Sequence, residues 1–178
     1  MTCIIGLEHE GSVYMGGDSA AICDWDVSTE ANPKVFLAGE FIIGYAWSFR
    51  MGQLLQYHLS VKPQEQETDR AYMVLVVAEA VRKLMVDSGY ARVRDNEEEG
   101  GAFLIGYRGK VYRMQGDWSV LRHTDGFETI GCGAPYARGA LEALDKTDPG
   151  KAILRALEIA AHCSSGVRGP FTILKLEP

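Results

Sequence analysis

Thr2 directly follows Met1, so loss of one residue would place a hydroxyl and a free α-amine on the same residue. An α-amine titrates at roughly 7.7–8.0, and a base poised near the working pH suits general-base catalysis. Thr2 could thus supply both nucleophile and base. Three other residues have types that would complete such a site. Asp18 closes the run Gly16-Gly17-Asp18, Lys34 follows Asn32-Pro33, and Gly44 follows Phe41-Ile42-Ile43. An ammonium beside a threonine hydroxyl stabilises the developing alkoxide and depresses the pKa of a neighbouring amine. An aspartate beside that lysine would hold it charged and oriented. The bare amide of Gly44 could bind a substrate oxyanion. Taken singly, Asp18 also reads as a turn cap, Lys34 as a surface charge and Gly44 as a packing glycine.

Short strands with tight turns must bring these positions together. Residues 3–8 and 12–16 read as two strands joined at Glu8-His9-Glu10-Gly11, their near-continuous apolar runs expected of strands covered on both faces. A polar stretch, 19–33, separates them from a hairpin over 35–37 and 41–46 that turns at Ala38-Gly39-Glu40. Helices are predicted at 48–60 and 68–88, the second with Ala71, Val74, Ala78, Val81 and Leu84 along one side. Asp95 to Gly101 reads as a charged turn. Strands follow at 102–107 and 110–115, joined by Arg108-Gly109, then at 119–122 and 127–130. Helices over 134–145 and 149–163 come next, the latter with Asp148 as cap and Pro149 as an early residue. A strand at 170–176 completes an order of strands, two helices, strands, two helices, strand, which implies a layered α/β or α+β domain.

Composition narrows the function. The chain of 178 residues is 47% hydrophobic and 24% charged, values of one globular domain with a substantial core. A net charge of −6 argues against nonspecific nucleic-acid binding. No apolar run approaches the roughly 20 residues of a membrane span, and the N-terminus has no secretion-signal pattern. Cys3, Cys23, Cys132 and Cys163 form no CxxC pair and read as free thiols of a cytoplasmic protein. The histidines form no HExxH, so no metal site is expected. Gly131-Cys132-Gly133 before a helix imitates a dinucleotide loop, but position 136 is Tyr, and GxxxxGK[ST] is absent. No cofactor is expected, and any ATP hydrolysis would fall to a separate partner.

In order and context, Thr2, Gly17-Asp18, Lys34 and Gly44 resemble the N-terminal-nucleophile hydrolases of the proteasome β-subunit type, and within them the bacterial HslV peptidases. The block Thr129-Ile130-Gly131-Cys132-Gly133-Ala134-Pro135-Tyr136-Ala137 is similar to the family's Gly-Ser-Gly-x-x-Tyr-Ala element. The resemblance spans essentially the whole chain. It implies an α+β fold, a four-layer αββα sandwich, as one peptidase domain over 1–178. It also implies removal of Met1, attack by Thr2 on a peptide carbonyl, electrostatic help from Lys34 fixed by Asp18, and an oxyanion held by the amides of Gly44 and Gly133. A homo-oligomeric ring, hexameric or heptameric, single or double, follows by the same resemblance, as do polypeptide substrates and a separate ring ATPase.

Three departures from the family pattern stand out. Cys132 occupies the place of a serine that helps organise the amine and the lysine, and a thiol is a weaker hydrogen-bonding group. Tyr45-Ala46-Trp47-Ser48-Phe49-Arg50 replaces small residues and Ala-Asp at the border of the expected specificity pocket. His162 to Val167 has no carboxylate where proteasome subunits carry an aspartate, a feature the HslV branch also lacks. The sequence therefore carries three readings: a threonine peptidase, an inactive ring or scaffold protein, and an amidase acting on a small molecule on the same fold.

Overall fold

The computed structural model describes residues 1–94 and 97–178. Two antiparallel sheets face each other. The first has the order β12-β1-β2-β13, built from β1 (Cys3–His9), β2 (Ser12–Gly17), β12 (Phe127–Gly131) and β13 (Thr172–Leu176). The second has the order β11-β10-β9-β6-β5, from β5 (Val35–Ala38), β6 (Phe41–Tyr45), β9 (Phe103–Tyr107), β10 (Lys110–Met114) and β11 (Val120–Leu121). Helices α4 (Ala134–Ala143) and α5 (Pro149–Cys163) cover the outer face of the first sheet through Ile5, Leu7, Leu141, Ile153 and Leu157. Helices α1 (Phe49–His58), α2 (Asp69–Tyr72) and α3 (Ala78–Asp87) cover the second through Ile43, Phe103, Tyr72 and Val81. Between the sheets lies a third apolar layer of Ile4, Val13, Met15, Ile42, Leu104 and Val111. Fully burying each such side chain is worth about 1.5–3 kcal/mol. The expected αββα sandwich is the observed one, with each consecutive helix pair on its own sheet.

Local chemistry explains most boundaries. The β1–β2 turn places Glu10 and Gly11 at φ 48° and 77°, and the β9–β10 turn places Arg108 and Gly109 at 45° and 72°. Two consecutive positive φ values make the mirror-image turn whose twist matches the strands it joins. Ser48 caps α1 by accepting from the Met51 amide at 3.4 Å, and Asp148 caps α5 by accepting from Lys151 at 3.0 Å. No described helix is long and apolar enough to cross a membrane.

Three elements differ from expectation. The polar stretch 19–33 contains a two-stranded ribbon, β3 (Ala20–Cys23) and β4 (Asp26–Thr29), which pairs only with itself. With β4 exposed along its length, it shows no apolar alternation for periodicity to detect. The helical run over 68–88 is interrupted by a π-helical turn, Met73–Val77, in which Ala78 donates to the Met73 carbonyl. That extra residue per turn rotates the buried stripe to Tyr72, Met73, Val77, Ala78, Val81 and Met85 and leaves Val74 exposed. In the predicted charged turn, Asp95 and Asn96 lie outside the described residues, whereas Glu97–Glu99 is a strand, β8, paired with β7 (Arg92–Arg94).

Gly44 is central to the inter-sheet packing. A Cβ there would lie 2.5 Å from Ile4 Cγ2 and 2.7 Å from Met15 Sδ. Gly44→Ala is therefore expected to destabilise the fold by about 1–3 kcal/mol through overpacking. Urea denaturation checks this, and an unchanged midpoint would contradict the close approach.

Candidate active site

Thr2, Asp18 and Lys34 meet at one end of the sandwich because each flanks a strand end there. Thr2 precedes β1, Asp18 follows β2, and Lys34 precedes β5 in the opposite sheet. The Asp18 amide donates to the Cys3 carbonyl at 3.2 Å, continuing the β1–β2 ladder by one rung. Gly17 lets the second sheet come close, since a Cβ there would sit 2.7 Å from Ile4 Cδ1 and 2.9 Å from Val35 Cγ2. Lys34 crosses that gap. Its Nζ donates to Thr2 Oγ1 at 2.9 Å, to Asp18 Oδ1 and Oδ2 at 3.1 and 3.2 Å, and to the Ala20 carbonyl at 2.7 Å.

This cluster is dry. The Lys34 and Asp18 side chains are 1% and 0% exposed. Asp18 is further satisfied by the amides of Cys3 and Ala20, both at 2.9 Å, and of Arg168 at 3.4 Å. Burial pulls the Lys34 ammonium below the ordinary lysine range, and the Asp18 carboxylate opposes that shift. The Phe49 ring lies 5.9 Å from Nζ and packs edge-on against Tyr45, so the bulky residues after Gly44 help exclude water from the lysine. The buried Cys3 thiol is pushed up to about 12, chiefly by burial and then by the Asp18 charge.

The nitrogen side of Thr2 is held by the β12–α4 junction. The Thr2 N–H donates to Cys132 Sγ at 3.3 Å, and Cys132 donates back to the Thr2 carbonyl at 3.5 Å. Ser164 Oγ donates to the same sulfur at 3.7 Å. Cys132 thus stands against the nitrogen of Thr2, where the expected serine would be. Gly131 has φ 95°, and a Cβ there would run into the Thr2 carbonyl oxygen. Thr2 Oγ1 also donates to the Met1 carbonyl, and Met1 lies over Gly166. All four cysteines are free.

Two expected oxyanion donors are differently employed. The Gly133 amide donates to the Thr2 carbonyl at 3.2 Å, so it fixes the threonine and does not face a substrate. Gly44 lies within β6, and because the next amide, Tyr45, donates to the Lys34 carbonyl, alternation aims the Gly44 amide the other way, toward β9. The backbone beside Thr2 is the following loop instead. Ala46 and Trp47 line a cavity of about 800 Å³ that also contains Thr2, Gly131 and Cys132. Trp47 has φ 79°, uncommon for a residue with a side chain. Tyr45, Phe49 and Arg50 border a separate cavity of about 260 Å³ with Glu30 and Asn32. Sequence reasoning missed Ala20, Gly131, Ser164 and Arg168, which act through backbone atoms, backbone conformation or a contact to Cys132. Only Gly131 had a visible signal, its place in Gly-x-Gly.

An αββα sandwich with a threonine, an aspartate and a lysine gathered at its strand ends is the architecture of the proteasome-type N-terminal-nucleophile hydrolases, and that is the fold of this chain. Thiobacillus denitrificans BPH in complex with epoxomicin matches with a TM-score of 0.81 at 16% identity, over 99% of this chain and 100% of that one. Eukaryotic HslV from Trypanosoma brucei matches with a TM-score of 0.70 at 18% identity, covering 99% and 100%. Anbu, an ancestral β-subunit from Yersinia bercovieri, matches with a TM-score of 0.71 at 14% identity, covering 99% and 82%. No protein-family model and no curated protein matches at the level of sequence.

Two stability measurements probe the cluster. Lys34→Met leaves Asp18 buried without its cation and is expected to cost about 3–5 kcal/mol, much of it recovered in Asp18→Asn/Lys34→Met. A single-variant loss no larger than that of an exposed pair would refute the buried geometry. The second measurement uses pH. The unfolded chain releases the Cys3 proton above about pH 9, whereas the folded chain keeps it to about 12, so this thiol's contribution to stability falls as pH rises through that window. The destabilisation caused by Cys3→Ala should therefore shrink by about 1 kcal/mol between about pH 8 and about pH 10 in urea unfolding. A pH-independent difference would show that Cys3 titrates as an ordinary thiol.

Proposed function

We propose that this chain is a threonine-type endopeptidase whose nucleophile is Thr2 after removal of Met1. The observation that carries the reading is the 2.9 Å contact of Lys34 Nζ with Thr2 Oγ1 inside a buried cluster that also holds Asp18. The Thr2 O–H bond breaks as Oγ1 bonds to a peptide carbonyl carbon, and the proton passes, through water, to the Thr2 α-amine. The tetrahedral adduct collapses with cleavage of the C–N bond, the leaving amine takes the proton back, and water hydrolyses the resulting ester. Lys34 stabilises the alkoxide electrostatically. Asp18 orients Lys34, and Cys132 and Gly133 hold the nitrogen and carbonyl of Thr2. The oxyanion falls to the backbone of Ala46-Trp47, which lines the cavity at Thr2.

The wider reading is a cytoplasmic, single-domain subunit of a self-compartmentalising ring that admits unfolded polypeptide, served by a separate ring ATPase. Support for it is the fold shared with HslV and with Anbu, and it concerns assembly that a single chain does not contain.

The decisive experiment combines intact mass with a peptidase assay. Protein made in its host should lack Met1 and cleave fluorogenic peptides. Thr2→Ala should abolish cleavage, and Lys34→Ala should lower it by about 10²-fold or more. Epoxomicin, found bound to the Thiobacillus protein, is expected to raise the melting temperature of the wild type but not of Thr2→Ala. Retained Met1 or undiminished activity in Thr2→Ala would overturn the assignment. A folded, Met1-free protein with no hydrolytic activity would favour the scaffold reading.

A further inference from the structure

The cavity that begins at Thr2 has an ionisable wall, contributed by Arg113, His123, Glu128 and Arg138. Their pairing is uneven. Glu128 is buried and hydrogen-bonded through one oxygen: Oε1 accepts from Arg138 Nη2 at 2.6 Å and from the Thr129 amide at 2.8 Å, while Oε2 accepts no hydrogen bond among the described residues. His123 Nε2 lies 2.6 Å from Oε2, in contact but without hydrogen-bond alignment. Arg138 also reaches Asp125 at 3.7 Å. Arg113 has no acidic partner among the described residues, and its Nε is sealed from solvent without an acceptor. It lies two residues beyond Val111 on β10 and so shares the face of that inter-sheet residue, which turns Arg113 toward the space between the sheets where that space opens into the cavity.

A guanidinium stays charged at any pH the fold survives, and Arg113 brings that charge to the cavity lining with no acid to pair it among the described residues. The group that satisfies its planar fork is a carboxylate, held by two parallel hydrogen bonds. The side of the substrate involved follows from proton transfer. The leaving amine must collect its proton from the Thr2 α-amine, so it leaves on the nitrogen side of Thr2. That side faces Cys132, and Cys132 and Met1 both line this cavity.

We propose that the cavity is a carboxylate-accepting subsite for the leaving-group side of the substrate, with Arg113 as its specificity-determining residue. Its ligands are peptides with an acidic side chain, or a free α-carboxylate, shortly beyond the scissile bond. Only the assignment of a side rests on the peptidase reading; the preference for a carboxylate does not.

Binding of labelled peptides to the full-length Thr2→Ala chain, read by fluorescence anisotropy, tests this without chemistry. One peptide pair differs as Glu against Gln, and a second as free carboxylate against C-terminal amide, which separates the two sources of the ligand. The charged member of at least one pair should bind about tenfold tighter or more. Arg113→Gln should erase the difference, and Arg113→Lys, which keeps charge but loses the fork, should reduce it severalfold. If Arg113→Gln does not fold, Arg113→Lys decides: an unchanged preference overturns the proposal. Charge-blind binding in the parent chain, no binding by any peptide, or a preference that survives in folded Arg113→Gln also overturns it. In wild-type cleavage assays, failure here would leave hydrolysis intact but indifferent to charge. Failure of the peptidase reading would abolish hydrolysis and leave the binding preference.

Discussion

The rest of the structure is arranged around a lysine and an aspartate removed from water between two sheets. Burying such a pair costs several kcal/mol per ion before their attraction is counted. Here the cost is offset by saturation: Nζ meets Thr2, Asp18 and the Ala20 carbonyl, and Asp18 receives three backbone amides. The partners are drawn from the start of β1, the end of β2 and the loop at Arg168, and Lys34 from the start of β5, so the pair can exist only if all of these are in place. As a source of stability it is a poor choice, since matched apolar residues would often do as well. Its value lies in setting one arrangement of strand ends and in holding a cation against the Thr2 hydroxyl.

The architecture was legible wherever burial imposes a period. The strands covered on both faces, their positive-φ turns and the capped helix at Pro149 all lie where apolar runs and turn residues place them. Legibility failed where burial is absent or the period is broken. The β3–β4 ribbon has a solvent-facing strand and no apolar alternation, and the π turn at Met73–Val77 shifts the helix phase that a uniform repeat assumes.

The site divides in the same manner. Side chains with chemistry of their own, Thr2, Asp18, Lys34 and Cys132, could be found as residues and are found together. Backbone donors could not, because the direction of an amide depends on strand pairing and not on residue type. Gly44 and Gly133 show this: both are glycines for good steric or hydrogen-bonding reasons, and both amides point away from the space where an oxyanion would sit. The bulky residues after Gly44 also acquire a purpose that sequence could not assign, since Phe49 and Tyr45 keep the Lys34 cluster dry.

Met1 is present at the cavity while Thr2, Asp18 and Lys34 are already in register. As an amide, the Thr2 nitrogen has no basic lone pair; as an amine it would have one at the same coordinates. Under the proposed reading, latency would be stored in one covalent bond and not in a conformational rearrangement. A single hydrolysis would unmask a base, clear the space Met1 occupies and leave the surrounding scaffold where it stands.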